Sequence, residues 1–326
     1  MSLSVRFLGT SAARPTVERN VSSIAVIREG ETLLFDCGEG TQRQMMRYGI
    51  SFALSDVFFT HFHGDHIIGV IGLFRTLALQ GRTEPMRMFG PRGAARVLRG
   101  AAHFGVDRVG FPVEIIEVAP GQRLAREGFS IVPFPTVHSG EVSVGYSLVE
   151  EDRKGRFDPD LARSLGIPEG PLWGRIHRGE SVALEDGRVI EPRVLVGPRR
   201  AGRSLAITGD TRPSEATIEA ARGADLLVHE ATFADEEAVR AAETGHSTAR
   251  EAARVAAAAG VRRLALTHFS ARYSRDPGDL LREARELFDE VVLARDGMEI
   301  DIPFPDERMD AAAGCAAEDP ASSRRR

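Results

Sequence analysis

At 326 residues, with 42% hydrophobic and 27% charged side chains, the chain has the composition of a folded globular protein, which excludes disorder of the whole. Its formal charge of -5 excludes a generally basic nucleic-acid coat, although a polyanion meets the field of one face rather than the net charge. The opening MSLSVRFLG has no basic segment leading into a long apolar run, and no run of about eighteen apolar residues occurs anywhere, so neither signal peptide nor membrane span is expected and the expected location is cytoplasmic. Cys37 and Cys315 lie in unrelated contexts, so no structural disulfide is expected.

In chain order, Ser4 to Leu8, Ser23 to Ile27 and Thr32 to Phe35 are short β-rich runs separated by turn residues. Val57 to Thr60 reads as a buried strand, followed by a His-rich loop and then helical spacing from Ile67 to Gln80. The pattern returns: Phe129 to Phe134 runs into His138, Ser204 to Thr208 into Asp210, and Arg263 to Thr267 into His268. Helices expected at Thr248 to Ala259 and Asp279 to Phe288 complete an α/β layer pattern, in which functional residues gather at strand ends. From Glu151 to Arg193 the chain is rich in Gly, Pro and charge and shows no clear core periodicity, which predicts a projecting insertion. From Pro305 onward the composition predicts a disordered tail.

The strongest chemical signal is Thr60-His61-Phe62-His63-Gly64-Asp65-His66. In extended backbone His61 and His63 point to one side, while Asp65 and His66 begin the next helix and face a neighbouring point, so one strand end can serve two adjacent metals. Imidazole nitrogen with carboxylate oxygen suits zinc, with manganese or iron as alternatives. His138, Asp210 and His268, at three other strand ends, are the candidates to complete the two coordination spheres.

H-x-H-x-D-H followed by a distant His, Asp and His resembles the metallo-β-lactamase superfamily. Within it, Gly9 to Pro15 with Arg19-Asn20, Asp36 to Thr41, His229-Glu230-Ala231-Thr232, His246-Ser247-Thr248 and Gly170-Pro171-Leu172-Trp173-Gly174 resemble the ribonuclease Z family. The resemblance implies a four-layer αββα sandwich with a projecting arm: a catalytic domain over residues 1–304, an inserted tRNA-binding arm at 151–193, and a tail at 305–326. It implies two zinc ions per subunit, one held by His61, His63 and His138, the other by Asp65, His66 and His268, with Asp210 bridging. Asp65 would accept a proton from the attacking water, and His246, oriented by Glu230, would assist the leaving oxygen. Precursor tRNA is the implied substrate and a homodimer the implied assembly.

Arg153, Lys154, Arg156, Gly170, Pro171, Arg175 and Arg178 are the expected arm contacts to tRNA. Trp173 is expected either to pack within the arm or to stack on RNA, and Cys37 to be packed rather than reactive. His103 and His177 match no motif and are expected to be structural or exposed. Two other readings remain open at this point, a small-molecule phosphodiesterase or arylsulfatase, and a tRNA-binding protein with a degenerate site.

Overall fold

A computed structural model describes residues 2–105, 109–140 and 142–305; the expected tail, with Cys315, lies outside them from Asp306 onward. Two compact units are present, one built from Met1–Val149 and Ser204–Pro303, the other from Glu150–Arg203 joined by Phe304.

The larger unit contains two seven-stranded sheets. In spatial order the first is Glu299–Asp301, Leu3–Gly9, Ser23–Arg28, Glu31–Phe35, Leu54–Phe58, Met86–Gly90 and Val113–Glu117; the second is Val291–Leu293, Leu264–Thr267, Leu226–Glu230, Ser204–Ile207, Val144–Glu150, Phe129–Pro135 and Leu124–Arg126. Successive side chains of a strand face opposite ways, and both faces of these strands are apolar. Val5, Phe7, Leu33, Phe35 and Phe58 of the first sheet therefore meet Tyr146, Leu205, Ile207, Val228 and Ala265 of the second in one buried cluster. Their alternate neighbours face outward: Leu8, Leu34 and Val57 pack with Met45, Leu73 and Phe74, while Ala206, Leu227, Leu264 and Leu266 pack with Ala252, Ala256 and Leu280. The partners lie on helices Thr41–Tyr48 and Gly69–Leu79 on one side, and Ala249–Ala259 and Gly278–Arg285 on the other. Three apolar layers thus separate four layers of secondary structure, in the order αββα.

The helix expected from Ile67 to Gln80 is broken into a single turn, Gly64–Ile67, and a helix, Gly69–Leu79. The Gly69 amide leaves the helical ladder to donate to the Cys37 carbonyl at 3.0 Å, while the Cys37 amide donates to His66 O at 2.8 Å. This exchange fixes the His-rich turn to the neighbouring loop. It needs Gly38, where a Cβ would lie 2.3 Å from the Asp65 carbonyl oxygen.

The smaller unit differs from expectation in having a core of its own. Ala162, Ile167, Ile176, Val182, Ile190 and Leu195 are buried together, with Phe157, Leu165, Leu172 and Trp173 packed against them. The helices Pro159–Ser164, Pro171–Arg178 and Pro192–Leu195 and a hairpin of two-residue strands supply these residues, each element too short to display a period. The chain enters and leaves along paired backbone, with Arg153 opposite Arg200 and Phe157 opposite Val196, so the unit includes the return segment to Arg203 as well as residues 151–193.

Candidate active site

The predicted donors meet at strand ends of the larger unit. His61 and His63 follow strand Leu54–Phe58, Asp65 and His66 sit in the turn after it, and His138, Asp210 and His268 follow strands Phe129–Pro135, Ser204–Ile207 and Leu264–Thr267. His63 Nδ1 lies 3.1 Å from His61 Nε2 and 3.0 Å from His138 Nε2, and Asp210 Oδ2 is 3.7 and 3.8 Å from those two Nε2 atoms. In the second group His66 Nε2 and His268 Nε2 are 3.3 Å apart, Asp65 Oδ2 is 3.6 and 3.3 Å from them, and Asp210 Oδ1 is 3.3 Å from each. These match the edges of a tetrahedron, about 3.3 Å long, that follow from metal–nitrogen bonds of about 2.0 to 2.1 Å.

Electrostatics agree with occupancy by cations. Burial pushes the His61 and His138 imidazoles below their ordinary pKa, into the neutral form that ligates. Burial opposes charge on His66 as well, but Asp210, Asp36 and Asp65 surround it and drive its pKa well above the ordinary value. The same point in space therefore attracts positive charge. Asp210 Oδ1 is buried and accepts no hydrogen bond, as expected of an atom reserved for a ligand.

The outward nitrogens are tied by residues whose roles the sequence did not reveal. His66 Nδ1 meets Asp36 Oδ2 at 2.7 Å, His61 Nδ1 meets Thr60 Oγ1 at 3.0 Å, His138 Nδ1 meets Gly245 O at 2.8 Å and His268 Nδ1 meets Thr232 Oγ1 at 3.0 Å. Each tie leaves the other ring nitrogen facing the cluster. Asp65 is held by the Ala13 amide, which donates to Oδ2 at 2.7 Å. Among the described residues five non-glycines have positive φ, and four adjoin this site: Ala13 (60°), Asp36 (56°), Ser139 (35°) and His268 (58°). Such strain persists where the surroundings over-determine the backbone.

Beside the donors, His246 Nδ1 lies 2.8 Å from Glu230 Oε1. Burial disfavours the imidazolium, yet the Glu230 carboxylate prevails and lifts His246 to about 9. Thr248 caps helix Ala249–Ala259 through a reciprocal bond with Glu251, so the capping role of this segment and the placement of His246 coexist. The cavity in front holds about 310 Å³ and is lined by Asp65, His246, Phe233, Arg14 and Arg240. Arg14 and Arg240 were not expected to line the site; Arg240 lies over the Phe233 ring at 5.7 Å.

Family models match two stretches, one described as anti-Pycsar protein Apyc1 over residues 3–154 and one as a beta-lactamase superfamily domain over 187–269. Ribonuclease Z of Gemmatimonas aurantiaca is 64% identical over 311 residues, covering 95% of this chain and 99% of the relative. The chain belongs to the ribonuclease Z family. The Myxococcus xanthus ribonuclease Z is 53% identical over 305 residues, covering 93% of this chain and 99% of the relative. Among solved structures, the short form of human tRNase Z superposes with a TM-score of 0.68 at 29% identity, covering 92% of this chain and 100% of its own. The four-layer unit is thus the metallo-β-lactamase fold of a ribonuclease Z, and its His and Asp cluster is one that could hold metal.

The arm residues are more committed than the sequence suggested for a ribonuclease Z. Arg175 pairs with Glu180 at 2.8 Å and Arg178 approaches the same carboxylate at 3.5 Å. The Arg153 guanidinium lies over the Phe304 ring at 3.4 Å, while Lys154 and Arg156 are exposed. Gly170 caps the helix in which Pro171 takes the first position. Trp173 packs within the unit, its Nε1 donating to Ile167 O at 3.2 Å and its ring 5.3 Å from Phe157. His177 Nε2 meets Gly155 O at 3.0 Å, and exposed His103 bonds Arg99 O. Cys37 is buried, which pushes its thiol up to about 12. Among the described residues no helix is long and apolar enough to cross a membrane.

Proposed function

We infer that this chain is a metal-dependent endoribonuclease that removes the 3′ trailer from precursor tRNA, leaving a 3′-hydroxyl on the tRNA and a 5′-phosphate on the trailer. The observation that carries the reading is the Glu230–His246 pair, 2.8 Å across, set beside a full complement of seven metal-capable donors in a chain of this family. The degenerate-site reading is not favoured, since no donor is missing, and the small-ester reading is not favoured in a chain 64% identical to a ribonuclease Z.

His61, His63 and His138 would hold one divalent cation and Asp65, His66 and His268 a second, with Asp210 between them; zinc suits this donor set, with manganese or iron as alternatives. When bound, such ions supply Lewis acidity toward the phosphodiester and acidify a water. Asp65, fixed by the Ala13 amide, takes the proton of the attacking water. His246 presents Nε2 toward the cavity because Nδ1 is tied to Glu230, and its raised pKa keeps a proton available for the departing 3′ oxygen. Arg14 and Arg240 supply positive charge to flanking phosphates at the cavity wall. Residues 151–193 form the arm that binds tRNA, with Lys154 and Arg156 the exposed cations of its stalk. The enzyme works as a homodimer, as the family resemblance implies, and its proposed location is the cytoplasm.

The test is metal analysis together with cleavage mapping on end-labelled precursor tRNAs with and without an encoded CCA. One cut at the trailer junction is expected, lost on chelation and restored by metal. Cleavage that survives thorough chelation, or that prefers small phosphodiesters over structured tRNA, would overturn the reading.

A further inference from the structure

Two residues past strand Leu226–Glu230, Thr232 is buried and belongs neither to the donor cluster nor to the Glu230–His246 pair. Its hydroxyl touches both. Oγ1 lies 2.6 Å from Glu230 Oε2 and 3.0 Å from His268 Nδ1, with His246 Nδ1, whose shorter bond is to Glu230, 3.3 Å away. The Glu230 pKa is lowered, so its carboxylate is ionised and only accepts. A hydroxyl carries one proton, so that proton goes to Glu230 and an oxygen lone pair faces His268. His268 Nδ1 must then carry hydrogen, which leaves the Nε2 lone pair toward Asp65, His66 and Asp210. The other tautomer would set an N–H against His66 Nε2, 3.3 Å away, and close the donor position.

Glu230 is itself held from four sides. Oε1 accepts from His246 Nδ1 at 2.8 Å and the Thr211 amide at 2.9 Å, and Oε2 accepts from the Thr232 amide at 3.2 Å and its hydroxyl. The carboxylate cannot turn without breaking several bonds at once. His268 needs such an anchor, because its φ of 58° is one that a β-carbon disfavours.

We propose that Thr232 is a positioning residue that carries the hold of Glu230 across to His268, so that one buried carboxylate orients both the proton donor His246 and a ligand of the second cation. Loss of Glu230 then has two separable consequences. One runs directly to His246, the other through Thr232 to the metal. This inference rests on the reading that the cluster holds two divalent cations.

The test measures zinc binding by competition with a chromophoric chelator, for the full chain and for Thr232→Val, Thr232→Ser, Glu230→Gln and His246→Ala, with circular dichroism as the folding control. Thr232→Val should weaken the second zinc by about 10 to 100-fold, the range expected when an outer partner of a ligand is lost, and leave the first unchanged. Thr232→Ser should restore it. Glu230→Gln should weaken the second zinc and His246→Ala should not, a contrast that stands even if the valine variant fails to fold. In the Thr232→Val background, Glu230→Gln should weaken the second zinc no further. Cleavage by Thr232→Val should fall in kcat at limiting zinc and recover at saturating zinc, with KM for tRNA unchanged. A folded Thr232→Val protein with two zincs at wild-type affinity, or equal loss in Glu230→Gln and His246→Ala, overturns the inference alone. A wild-type chain that binds no divalent cation overturns the metal reading together with it.

Discussion

The donor cluster and the inserted unit are stabilised by different means. At the cluster, buried imidazoles and carboxylates face one another across 3.0 to 3.8 Å, and the backbone of four adjoining non-glycine residues is strained. Strands of two sheets and three apolar layers impose that arrangement. The inserted unit has one small apolar cluster, two-residue strands and exposed ion pairs such as Arg163 with Asp160 and Glu169. Exposed pairs add little to stability, so what holds this unit together is the apolar cluster and the buried Arg203–Glu150 pair where its two ends meet. Strain persists where many contacts enforce it, and the tRNA grip proposed for the inserted unit needs only a shape and some cations.

The sharpest way to break the contrast is to remove a donor. Asp65→Ala should lower turnover on precursor tRNA by about 10³ to 10⁴-fold while circular dichroism stays unchanged, since the fold does not depend on a single side chain of the cluster. Normal turnover by the variant, freed of wild-type enzyme, would show that Asp65 has no part in the reaction. The second largest effect is expected from the arm. Joining Arg156 to Gly197 by a short Gly-Ser link uses the point where the Gly197 amide already donates to Arg156 O at 2.9 Å. kcat/KM on precursor tRNA should fall roughly 100-fold, as a tethered second contact is lost, with hydrolysis of a small phosphodiester retained. Equal loss on both substrates would mean that the unit supports the site rather than the substrate.

How much of this was legible follows from the distance over which each signal acts. His61, His63, Asp65 and His66 lie within one turn of chain, and the strand-end placement of His138, Asp210 and His268 follows from apolar runs that stop at a polar residue. The β-rich run Thr32 to Phe35 was legible as a strand, and its unbroken apolar residues Leu33, Leu34 and Phe35 suit the burial on both faces that the fold gives it. Asp36 against His66, the Ala13 amide against Asp65, and Thr232 against His268 are pairings made only by the fold. Nothing in local pattern points to them, and a backbone amide has no sequence signature. Arg14 and Arg240 were hidden for the same reason. The core of the inserted unit was hidden by brevity, because its apolar residues come singly from elements of two to eight residues.

The smallest expected effect concerns what the arm's cations are free to do. Arg175 and Arg178 both lean on Glu180, and the Arg175 bond holds that carboxyl below its ordinary pKa, so it is ionised at neutral pH. A phosphate must compete with this carboxylate for either guanidinium. Glu180→Gln removes the competing charge and keeps the shape, so tRNA should bind about two to three times more tightly at low salt, with the slope of log affinity against log salt steeper by about one. Filter binding across a salt series reads both. Unchanged affinity and slope would mean that these two arginines serve the arm's own structure.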